Sequence, residues 1–122
     1  MKGIFIDVEK CEVSQINIKG NLDDFYRLIG CNVITTISCP NSGDHDIIVD
    51  DEGLLKEIKG MFSIDDENEP QLAGNGVILR VNEELGKWMA SKLTVEEIKR
   101  RITFFKLIQT PLGKAIFKVR KE

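Results

Sequence analysis

At 122 residues, 42% of them apolar, the chain is long enough to bury one core and too short for two domains of ordinary size. Its net charge of −3 is uneven: residues 1–91 hold 8 Lys and Arg against 17 Asp and Glu, a balance of −9, while residues 92–122 hold 9 against 3, a balance of +6. The acidic total argues against a dedicated nucleic-acid binder, and three cysteines without Cys-x-x-Cys spacing, beside a single histidine, argue against a disulfide framework, a zinc knuckle and most nucleophile–base pairs.

Ile4, Ile6 and Val8 alternate with polar or small residues, the period-2 mark of a half-buried strand, and Val13 to Ile18 return as its hairpin partner. A helix is predicted over 22–29. Asn21 is its N-cap, Asp23 and Asp24 sit where the helix dipole favours acids, and Gly30 takes the left-handed stop. "CNVITTISC" is rich in β-branched residues and predicts a strand, with residues 46–50 returning as its partner after the turn "PNSGDHD". Leu54, Leu55, Ile58, Met61 and Phe62 predict a short helix or irregular turn packed on the core, and "DDENEP" an acidic loop. Val77 to Val81 form a strand introduced by Gly74-Asn75-Gly76. Residues 83–93, with Trp88 and Met89, fit no single pattern. "TVEE" is a capping box that opens a helix over 95–103, with Val95, Ile98, Ile102 and Phe105 along one face. After a turn at Pro111 and Gly113, Ala115, Phe117 and Val119 alternate with Lys114, Lys118 and Arg120, a strand with one basic face.

No apolar run approaches the roughly 20 residues of a membrane span, and the start is too short for a secretory signal. The expectation is a cytoplasmic protein without membrane contact, its thiols Cys11, Cys31 and Cys39 reduced and at least half-buried.

Six potential ligand groups fall between Asp44 and Glu52, but an EF-hand counted from Asp44 puts Ile48 and Val49 at positions 5 and 6, where the loop needs an oxygen ligand and a glycine. Asp50, Asp51 and Glu52 followed by Gly53 read as a turn with a charged rim, since neighbouring acids on a turn rarely face each other across a cleft. Gly74-Asn75-Gly76 precedes a strand and lacks the third glycine of a dinucleotide loop, though a small ligand could still approach its backbone. The basic set Lys99, Arg100, Arg101, Lys106, Lys114, Lys118, Arg120 and Lys121 has few exposed aromatics interleaved for base stacking. His45 in a polar turn and Cys31 at a helix end are poor catalytic groups.

The runs "MKGIFIDVEK", "FYRLIGC", "IVDDEGLLK", "LAGNGVILRV" and "LTVEEIKRRITF", in this order, resemble a family of small proteins carried by bacteriophages, plasmids and gut bacteria and described only as a domain of unknown function. The resemblance covers residues 1–105. It implies an accessory protein of a mobile element and supplies no catalytic residues.

The expected fold is α+β: a single domain with a twisted, mainly antiparallel sheet and two packed helices. Residues 1–105 form the family-like core, and 106–122 a basic extension contributing a strand to the same domain. The expected function is non-enzymatic, without metal or cofactor: binding of a host protein, such as a defence component, through Asp50, Asp51, Glu52, Asp65 and Asp66 or through Arg100, Arg101, Lys118 and Arg120. Two alternatives are a nucleotide-signal binder using Gly74, Asn75 and Gly76, and a metal-dependent hydrolase using Asp44, Asp46 and Asp50. Oligomeric state is open.

Overall fold

The computed structural model describes residues 1–120. The N-terminal strands are β1 (Lys2–Asp7) and β2 (Glu12–Asn17), paired from Lys2↔Asn17 to Asp7↔Glu12. Helix α1 (Leu22–Ile29) follows, then β3 (Ile34–Ser38), β4 (His45–Asp50), a single 3₁₀ turn at Gly53–Leu55, and β5 (Met61–Ile64). Next come β6 (Leu72–Ala73), β7 (Gly76–Asn82), β8 (Lys87–Met89), α2 (Val95–Arg101), β9 (Ile102–Thr110) and β10 (Gly113–Lys118). The class is α+β and every strand pair is antiparallel.

The strands divide between two sheets. One runs β2-β1-β7-β4-β3, with β8 paired to the far end of β7; the other runs β10-β9-β5-β6. Strand alternation gives the first sheet two apolar faces. Ile4, Ile6, Ile47, Val49 and Ile78 pack against Phe62, Ile64 and Ile102 of the second sheet and Ile98 of α2. Ile48, Val77 and Leu79 point the other way, against Phe25 and Ile29 of α1. The result is three layers: helix, sheet, sheet. Each fully buried side chain of this size contributes about 1.5–3 kcal/mol. Gly76 makes the close packing of the sheets possible, because a Cβ there would meet Phe62 Cζ at 2.9 Å.

The helix ends read from the sequence are present. Asn21 accepts from the Asp24 amide, Gly30 has φ 79°, and Thr94 accepts from the Glu97 amide. The predicted length of the second helix needs correction. It stops at Arg101, and Ile102 and Phe105 belong to β9, opposite Ile64 and Met61. β-branched and aromatic residues from 102 to 105 gain more by pairing with β5 than by continuing a helix. Residues 61–64, placed in a turn, are a fully buried strand. Leu54 and Leu55, expected on the core, are 70% and 83% exposed. Trp88 lies edge-on to Phe25, ring centroids 4.9 Å apart, and so closes the helix layer. Among the described residues no helix is long and apolar enough to cross a membrane. Lys121 lies outside the described residues.

Candidate functional site

Strand β4 ends at Asp50, whose carboxylate organises the turn that follows. Its Oδ1 accepts from the Glu52 amide at 2.9 Å and its Oδ2 from Lys56 Nζ at 2.8 Å. With the side chain only 8% exposed, Asp50 is no surface contact. The same bond is the main reason the Lys56 ammonium holds its proton more tightly than usual. The Asp51 amide donates to Val33 O, the Leu55 amide donates to Glu52 O, and Gly53 lies so close to β6 that a Cβ would meet Ala73 O at 3.0 Å. These contacts shape a knob that displays Asp51, Glu52, Leu54 and Leu55 to solvent.

Beside the knob is a cleft of about 310 Å³. It brings Asp50 and Gly53 together with Gly74 and Asn75, the two segments singled out in the sequence. Asn75 is already engaged: its Oδ1 accepts from the Val8 amide at 2.9 Å. Gly76 lies inside β7 and faces Phe62, so its role is packing. Cys31, near Asp50, has its thiol pushed up by burial first and by the Asp50 charge second, and burial does the same to Cys39. Both stay protonated, and Cys11 is half-buried.

The three acids of the hydrolase reading do not converge. Asp46 and Asp50 are four residues apart on β4, about 13 Å at the usual strand rise. Asp44 instead approaches Arg80 at 3.6 Å. Among the described residues no group of three or more His, Cys, Asp or Glu side chains is placed to hold a metal ion. His45 is buried rather than in an open turn. Its Nε2 accepts from the Lys92 amide at 3.0 Å, which leaves Nδ1 as the donor to Ser42 O at 2.9 Å.

The basic and acidic candidates meet once. Arg101 forks onto Asp65, Nε to Oδ1 at 2.9 Å and Nη2 to Oδ2 at 2.8 Å, and Nη2 also donates to Ser42 Oγ and Pro40 O. Asn41 Nδ2 donates to the same carboxylate, whose proton affinity is lowered, by the Arg101 bond first. Arg101 and Asp65 therefore tie α2 to two loops. Asp66 organises its own turn, its carbonyl accepting from Ser63 Oγ and its carboxylate from the amides of Asn68 and Glu69. Arg100 is exposed on α2, Lys118 ends β10, and Arg120 follows it, both exposed.

Two functional features escaped the sequence. An apolar pair such as Leu54-Leu55 normally reads as core; its one warning was the position between two glycines, Gly53 and Gly60, too close for an amphipathic helix. Lys106, counted among surface cations, donates to Val8 O at 2.6 Å and Glu9 O at 3.0 Å, and no local pattern announces a contact spanning 98 residues.

No curated protein and no solved structure matches the chain. A family model described as "Domain of unknown function (DUF3846)" matches residues 1–104, and the chain belongs to that family.

Proposed function

We propose that this protein is a binding protein rather than an enzyme, and that it engages another protein through the knob at residues 51–55. The observation that carries this reading is the fixed display of Leu54 and Leu55, 70% and 83% exposed on a turn anchored at both ends. A partner with an apolar pocket and a basic rim fits two leucines flanked by Asp51 and Glu52. Burying both leucines supplies roughly 3–5 kcal/mol before association costs. The setting we propose comes from the sequence resemblance: a cytoplasmic accessory protein of a mobile element, acting on a host protein such as a defence component.

The test is a pull-down from host lysate with wild type and a Leu54→Ser/Leu55→Ser variant. A stoichiometric partner retained by the wild type and lost by the variant supports the reading. Recovery of none, or equal recovery by both, overturns it. Both leucines are exposed, so the variant keeps its fold, which circular dichroism checks.

The convergence of Asp50, Gly74 and Asn75 on one cleft supports a second reading, a small-ligand site such as one for a nucleotide signal. It ranks below the first because Asp50 and Asn75 already hold intramolecular partners. Native mass spectrometry with added nucleotides and no retained mass removes it.

A further inference from the structure

A second concave surface lies away from the knob, between the β1–β2 turn, the α2–β9 junction and the segment leaving β10. Its volume is about 760 Å³, more than twice that of the cleft. The floor is apolar: Val13 and Ile102 are buried, and Phe104 and Val119 are half-buried. The rim carries Lys10, Lys99 and Arg120, all exposed, against a single acid, Glu12. Only a 4.0 Å approach to Glu96 occupies Lys99, and that pair is open to water.

The walls are fixed in place. Lys106 Nζ clamps the β1–β2 turn through Val8 O and Glu9 O, and the Val119 amide donates to Phe104 O at 2.8 Å. One wall is β2, which among the described residues pairs with β1 alone and lies at an edge of the larger sheet, with α2 packed against it. A sheet edge beside an apolar floor suits an extended chain, which takes main-chain bonds from the edge and places alternate side chains on the floor.

We propose that this groove binds an acidic segment of a partner protein in extended form, with apolar side chains at alternate positions. Charge complementarity selects the occupant. Among the described residues three cations outnumber Glu12 and the Glu96 beside Lys99, which favours a polyanion, and four apolar residues beneath them reject one that has no apolar anchors. The concave shape keeps the floor away from a flat bilayer. Nucleic acid is disfavoured because Phe104 is the only aromatic on the floor and is half-buried. This inference stands independently of the knob, since the two surfaces share no residue.

The experiment is fluorescence anisotropy on the full chain with four labelled probes: Glu-Leu-Asp-Val-Glu-Leu-Asp-Val, the same peptide with Ser for each apolar residue, the same peptide with Lys for each acid, and a short single-stranded oligonucleotide. The first is expected to bind and the other three at least tenfold more weakly. Lys10→Glu with Arg120→Glu is expected to weaken the first probe at least tenfold, while Glu69→Gln with Glu84→Gln leaves it unchanged. All four substituted residues are exposed, so both variants fold. No binding of the first probe overturns the proposal. So does equal binding of the Ser peptide or of a short single-stranded oligonucleotide, which identifies a general polyanion surface. A groove variant that binds like wild type also overturns it, since the peptide then sits elsewhere.

Discussion

His45, itself buried, shows how one side chain can settle two part-buried backbone groups. It joins Ser42 O to the Lys92 amide, and neither group lies in a strand ladder. Replacing His45 with Ala leaves both unpaired and opens a cavity, so a loss of about 2–4 kcal/mol is expected by urea denaturation. His45→Gln, able to reach one of the two, should recover part of that loss. Asp46, on the same strand, works in the opposite direction. Burial, with help from the Glu83 charge, raises its proton affinity above the ordinary carboxylate value. The charged form is therefore disfavoured in the fold. It costs stability above the folded pKa, and the cost vanishes once pH falls below the unfolded value. Asp46→Asn is expected to melt higher than wild type at pH 7 and level with it at pH 3, read by thermal denaturation. Equal melting at both values would show that burial does not penalise this carboxylate.

At the scale of elements, the Arg101–Asp65 fork holds the end of α2 in place. The Asp65 amide also donates to Arg101 O, so the last helical residue is held by backbone and side chain together. Because the folded pKa of Asp65 is depressed, its contribution is complete above the ordinary carboxylate value and is lost as pH falls through the folded pKa. Asp65→Asn is expected to cost about 1–2 kcal/mol at pH 7, allowing for partial solvent screening, with the gap to wild type closing under acid. A gap constant from pH 7 to pH 2 would mean that the fork carries no net charge stabilisation. None of this is visible in sequence. Asn21, Gly30 and Thr94 could be read because a cap acts within three or four residues. Asp65 and Arg101 are 36 positions apart, and no periodicity connects them. The same limit hides the end of α2: Ile102 and Phe105 keep helical spacing, and only the presence of β5 turns them into a strand.

For the whole molecule, alternation along β1 and the short apolar, β-branched runs of β4 and β7 make these strands of the larger sheet legible. The two-residue β6 and three-residue β8 are too short to carry a period, and the partition into two sheets depends on pairings far apart in sequence. The extension poses the remaining question, because the family match ends at residue 104, inside β9. The next two residues belong to the core: Phe105 is 3% exposed against Met61, and Lys106 clamps the β1–β2 turn. Beyond them burial falls away. Leu112 is fully exposed, and Ile108, Ile116 and Phe117 are 44–50% exposed, so β10 adds ladder bonds and little apolar burial. A chain ending at Thr110 is therefore expected to fold and lose only about 1–2 kcal/mol. A chain ending at Phe104 gives up a buried aromatic worth about 3–5 kcal/mol as well as the Lys106 clamp. Against a total of roughly 5–15 kcal/mol for a domain, that chain should be largely unfolded at 37 °C. Circular dichroism melts of the two truncations separate these outcomes. If the chain ending at Phe104 melted like the one ending at Thr110, Phe105 and Lys106 would not be part of the core, and the fold would close where the family match does.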